Sequence, residues 1–235
     1  MKEIVFLVVL FFSNVIQAIT GFAGTVLAMP PSMLLIGVDN ARVVLNVMAL
    51  LSCLWIAVRS RKSIHWGELF KMTAGMLVGM LVGIRVYEAA PLYFLLKAYG
   101  VLIIAIALKN LFFKGGRALP RPVLILVLLA AGVVHGMFVS GGALLVVYAA
   151  QTLKDKDAFR ATVAPVWVVL NTCMAANHAV SGLFTQQALL LIAVSLLPLA
   201  VAVWAGNRIQ KKINQQTFLR LTYILLAISG LSVLF

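Results

Sequence analysis

Apolar residues run along this chain in blocks too long and continuous for the alternation of a half-buried strand or the one-sided stripe of a soluble helix. Charged, glycine and proline breaks divide them into ten blocks, in two sets of five. Segments A to E cover roughly 4–20, 25–37, 41–58, 66–87 and 92–112, and segments A′ to E′ cover roughly 122–139, 143–153, 159–180, 186–206 and 216–235. A membrane-crossing helix needs about 20 mostly apolar residues, with about 17 as the lower bound. B and B′ fall short of that, and each follows a break that carries glycine.

The two sets keep a constant register. Gln17, Gly24 and Arg42 recur as His135, Gly142 and Arg160, each 118 positions on. Gly83 and Arg85 recur as Gly206 and Arg208, and Lys97 as Arg220, each 123 positions on, so one five-residue insertion reconciles the two offsets. The pattern predicts an all-α polytopic membrane protein made of two repeats, 1–113 and 122–235, joined by a basic linker at 114–121. Because segment 4–19 has a counterpart in mid-chain, it reads as part of the fold rather than as a removable leader.

Composition agrees: 63% of the 235 residues are hydrophobic and 11% charged, against about 25% charged in a soluble domain. The net charge of +13 would suggest nucleic acid in a soluble protein, but here the basic residues cluster between apolar runs, as in cytoplasmic loops. If A and B together return to their starting side while C, D and E each cross, the second repeat is inverted. With the C–D loop inside, fifteen of the nineteen basic residues lie inside, and both termini lie outside. The C–D loop carries Arg59, Arg61 and Lys62, whereas its counterpart 177–184 carries no Lys or Arg. Inverted repeats predict that contrast.

Inverted-repeat transporters bind their substrates where interrupted helices of the two halves meet. Here the paired interruptions are Thr20-Gly21-Phe22-Ala23-Gly24-Thr25 and Val139-Ser140-Gly141-Gly142-Ala143. A helix starting after each break offers amides without intrahelical partners, and such a start accepts anions. Close packing of small residues is the structural alternative. The six carboxylates, Glu3, Asp39, Glu68, Glu88, Asp155 and Asp157, all fall at segment ends or in loops. Cation carriers and proton pumps usually rely on buried carboxylates, so an anion is favoured.

Neutral polar side chains remain in the apolar runs: Asn14, Gln17 and Thr20 on A, Asn46 and Ser52 on C, Asn171 and Thr172 on C′. Asn14, Gln17 and Gly21 share one helix face. His135 is the histidine expected at depth, either contacting an anion or taking a proton, or else bonded to a backbone carbonyl. His65 and His178 read as interfacial. Arg42 and Arg160 are expected either to attract anions to the two mouths or to snorkel toward headgroups. Trp66 and Trp204 fit interfacial anchors, and Trp167 a cavity wall. Cys53 and Cys173 read as packing residues, without disulfide or metal. Neither a P-loop nor any cofactor motif is present, and clustered nucleophiles for an enzyme are lacking.

The residues at the two breaks resemble the sulfite exporter TauE/SafE family, whose pattern is a Gly-x-Gly-Gly-Gly break, four apolar residues and a proline in each half. Gly21, Gly24, Pro30, Gly141 and Gly142 carry that pattern, while Thr25, Ala143 and Tyr148 depart from it. The resemblance spans nearly the whole chain. It implies a secondary transporter of a small sulfur oxyanion or organosulfonate in a bacterial cytoplasmic membrane, with membrane lipid around it. The energy source (a proton, another ion or the substrate gradient itself), the direction and any oligomer stay open. So do two rivals: a passive anion channel, and a membrane subunit acting with a partner. The candidate substrate-binding residues are Asn14, Gln17, Thr20, Gly21, Gly24, Thr25, Asn46, His135, Ser140, Gly141, Gly142 and Asn171.

Overall fold

A computed structural model describes residues 2–112, 119–210 and 212; segment E′ and most of the linker lie outside the described residues. The described part is helical: α1 (Lys2–Thr20), α2 (Gly24–Ile36), α3 (Val38–Arg59), α4 (Trp66–Ala89), α5 (Leu92–Phe112), α6 (Arg121–Phe138), α7 (Gly142–Thr152), α8 (Lys156–Val180) and α9 (Gln186–Gln210), with a short 3-10 turn at Arg61–Ser63. Six of these are long and apolar enough to cross a membrane: α1, α3, α4, α6, α8 and α9. The 13 residues of α2 and 11 of α7 reach only about 20 Å and 16 Å at 1.5 Å per residue, well short of a bilayer's hydrocarbon core.

Local chemistry sets the helix ends. Gly37, at φ +82°, closes α2 with its amide on Met33 O and leads directly into α3. Pro122 stands in the first turn of α6, where its missing amide costs nothing. Asp155 caps α8 by accepting from Ala158 N at 2.8 Å.

α3 and α8 pack at the centre and run antiparallel. The start of α3 lies beside Leu183 and Thr185, Asn46 donates to Asn171 O at 3.0 Å in the middle, and Ser52, Trp55 and Arg59 face Arg160 near the end. On one flank α4 packs along α6, and on the other α9 packs along α1. The α4–α6 pair is close because Gly79 and Gly83 face the carbonyls of Leu129 and Val133, while Gly132 and Gly136 face those of Met76 and Met80. A Cβ at any of the four would collide with backbone, the small-residue packing typical of membrane helices.

Contacts recur at the two sequence separations, 118 and 123. Gly21 N donates to Gln17 O at 2.7 Å, and Val139 N to His135 O at 2.7 Å. Gly21 has φ +83°, and Val139 has φ +55°, the one non-glycine residue with positive φ among those described. Arg160 Nε donates to Ala18 O at 2.9 Å, and Arg42 NH2 to Gly136 O at 3.4 Å. Gln210 Nε2 donates to Asp157 Oδ1 at 3.1 Å, and Tyr87 OH to Asp39 Oδ1 at 3.3 Å. Gly206 abuts Val15 O as Gly83 abuts Val133 O.

Candidate functional site

The two glycine breaks meet. Ser140 Oγ donates to Thr25 O at 3.3 Å, and Gly142 packs so tightly on the first break that a Cβ there would fall 2.6 Å from Phe22 O. Gly141 sits directly against the carbonyl of Ala131 on α6. At this junction the short helices α2 and α7 both begin, and α1 and α6 both end.

The two breaks differ in how their amides are satisfied. In the first, Thr20 Oγ1 accepts from Phe22 N at 3.1 Å and Ala23 N at 3.2 Å, and Gln17 Oε1 accepts from Gly24 N at 2.6 Å. Gln17 is held for this by its Nε2, which donates to Cys53 Sγ at 3.0 Å. The amides of Phe22, Ala23 and Gly24, up to the first residue of α2, are therefore occupied from within their own half. In the second break the equivalent positions carry Phe138, which cannot accept, and His135, neither of whose ring nitrogens has a protein partner. The start of α7 thus lacks the two side-chain caps that close the start of α2.

Around that second break lies a seam of buried polar groups. His135 is 1% exposed and its ring lies 5.2 Å from that of Trp167. Trp167 Nε1, Asn171 Oδ1, Asn46 Oδ1 and both nitrogens of His178 are also buried without a protein partner. Trp167, Asn171 and His178 fall four and seven residues apart, on one face of α8, opposite Arg42 and Asn46 on α3. Buried polar groups are normally paired, so a seam with this many open donors and acceptors is suited to a polar ligand or water.

Arg42 and Arg160 do not snorkel. Arg42 is 3% exposed, stacks over the Tyr87 ring at 3.7 Å from its centroid and lies 3.8 Å from Asp39. Arg160 also bonds Asn207 Oδ1. Ala18 and Gly136 are among the last carbonyls of α1 and α6, so each arginine caps the C-terminal end of the broken helix in the opposite half. A helix C-terminus carries partial negative charge, and a guanidinium there offsets it.

Asn14 donates to Leu10 O of its own helix at 2.9 Å. Thr20 also donates back to Ile16 O at 2.8 Å. Thr172 is exposed, not internal, and donates to Val168 O. His178, read as interfacial, stands in the last turn of α8 with its side chain buried within the protein, as that of His135 is. Trp66 and Trp204 are exposed, and Tyr148, where the family pattern has proline, donates to Glu68 Oε2 at 2.9 Å and ties α7 to α4. Cys53 and Cys173 are both free. Among the described residues, no buried polar side chain is a carboxylate and no metal-ligating group of side chains occurs.

Six spanning-length helices and two sub-spanning ones among the described residues mark an integral, multi-pass membrane protein. The chain belongs to the sulfite exporter TauE/SafE family, whose family model matches residues 5–233. The family is one of sulfite exporters, which supports anion transport as the general activity. Neither a curated protein nor a solved structure matches the chain.

Proposed function

We propose that the chain is a secondary transporter of a small anion, a sulfur oxyanion or organosulfonate, and that two inverted repeats, 1–113 and 122–235, alternate access to a site at the meeting point of their broken helices. The recurrence of backbone and arginine contacts at separations of 118 and 123, together with the antiparallel course of the equivalent helices α3 and α8, supports the inverted duplication. The proposed setting is the bacterial cytoplasmic membrane, with the basic linker 114–121 inside. No cofactor, nucleic acid or catalytic step is invoked, in keeping with membership of a transporter family.

The observation that carries the reading is the electrostatic arrangement at the junction. The negative ends of α1 and α6 are each offset by an arginine from the other half, and the carboxylates stay at helix ends. What remains facing the seam is the uncapped start of α7 with His135, Trp167 Nε1, Asn46 and Asn171. Amides at a helix start hold an oxyanion without a full positive charge, as at other anion sites. The first break contributes the carbonyls of Phe22 and Thr25, on which Gly142 and Ser140 close, while its own Gly21 packs on Arg160, its Gly24 packs on Gln17 and Ser13, and Gln17 and Thr20 hold its shape. In the closed junction seen here the halves touch, so binding and release require them to separate.

The test is purified protein in liposomes, challenged with sulfite, thiosulfate, sulfoacetate, taurine and simple carboxylates. Saturable uptake of one or more sulfur anions is expected. Flux that rises with the gradient without saturating would favour a channel, and no anion flux from the purified chain would favour a subunit that needs a partner.

A further inference from the structure

A cavity of about 790 Å³ lies between the C-terminal half of α3, the start of α8 and the face of α9, bordering the first break through Arg160, whose side chain packs on Gly21. Arg59, Arg160 and Arg208 line its polar end, and Leu199 and Val203 contribute to its apolar wall. Arg160 is already committed to Ala18 O and Asn207. Arg59 and Arg208 have no carboxylate partner among the described residues; instead Arg59 lies over the Trp55 ring at 5.4 Å and Arg208 over the Trp204 ring at 4.4 Å. Stacked this way, a guanidinium keeps its N–H donors at the edge, free for an anion.

Size and shape separate this cavity from the transport site. Water takes about 30 Å³ per molecule, so a volume of about 790 Å³ would leave a four-atom oxyanion mostly unsurrounded. Its rim is lateral, since Trp55, Leu196 and Trp204 are 52%, 45% and 58% exposed on the surface that spanning helices turn toward lipid. An occupant must therefore be anionic at one end and apolar over the rest. We propose that this cavity binds an anionic phospholipid of the inner leaflet, its phosphate on Arg59 and Arg208 and an acyl chain along α9. Basic side chains beside a membrane-facing groove are the recognised chemistry for such headgroups.

Native mass spectrometry of the full chain in detergent tests this, with phosphatidylglycerol and phosphatidylcholine of equal chain length added at equal concentration and inorganic phosphate in a separate arm. The chain should retain phosphatidylglycerol preferentially. Neutralising one arginine should weaken retention about fivefold and R59Q/R208Q about twenty-five-fold. A200W keeps both charges but fills the apolar wall, and it should also lose the lipid; it covers the case in which the double variant fails to fold. Equal retention of the two lipids, undiminished phosphatidylglycerol binding in both variants, or displacement of the lipid by millimolar inorganic phosphate would overturn the proposal, the last by making this a free-anion site.

Discussion

Gly142→Ala adds one methyl where the two halves meet. A Cβ at residue 142 falls 2.6 Å from Phe22 O and 3.2 Å from Val26 Cγ2, against ordinary contact at 3.4–4 Å. The obstacle is backbone, so no side-chain rotation relieves it and the halves must part by most of an ångström. Overpacking of this kind costs about 1–3 kcal/mol. That cost falls on the closed junction and not on a state with the halves apart, so the closed-to-open equilibrium should shift by about 5- to 150-fold. A carrier returns through the closed junction in each cycle, so anion flux at saturating substrate should fall by a comparable factor. Size-exclusion profiles of the purified variant should stay those of the folded wild type. Gly67→Ala serves as the control, because a Cβ there meets open space, and it should leave flux unchanged. Wild-type flux in both Gly142→Ala and Gly142→Val would refute the reasoning and remove the junction from the transport cycle.

Three further outcomes are expected. His135→Gln places at the second break the residue that caps the first, where Gln17 accepts from Gly24 N at 2.6 Å; occupying the amide of Gly142 should raise the anion KM about tenfold, the worth of one charge-assisted bond. An unchanged KM would leave His135 as a packing residue. Val139→Gly relieves about 1–2 kcal/mol of left-handed strain at φ +55° but deletes a fully buried side chain worth about 1.5–3 kcal/mol and loosens the unfolded backbone, so the melting temperature in detergent should fall, whereas a rise would show that the strain outweighs the packing. Arg160→Gln, which loses its charged bonds to Ala18 O and Asn207, should destabilise the protein by about 1.5–3 kcal/mol in the same assay, and an unaltered melting temperature would contradict the capping role.

The helices were legible because membrane spans are written as continuous apolar runs with sharp polar ends. Segment D at 66–87 became Trp66–Ala89, and the sub-spanning B′ at 143–153 became Gly142–Thr152. Segment E′ lies outside the described residues. The glycine breaks were legible from their pairing, but their energetics were not. That Gln17 and Thr20 turn back to cap the first break depends on side chains seven and two residues from their targets. Periodicity can place such residues on a face, but it does not say which group they will satisfy. The arginines were misjudged for a related reason. Near a helix end, snorkelling is the ordinary fate of an arginine, and only tertiary packing brings Ala18 O to Arg160 and Gly136 O to Arg42 across the halves. His178 was discounted because it stands two residues from the end of α8, although its own side chain is buried while Val180 at that end is 91% exposed.

A carrier whose two halves exchange access to one anion site moves faster when anion waits on both sides of the membrane. Liposomes preloaded with unlabelled sulfite or thiosulfate should take up the labelled anion several times faster than empty ones, because the loaded carrier returns occupied. Uptake that is indifferent to internal anion, and linear in external concentration, would contradict the account.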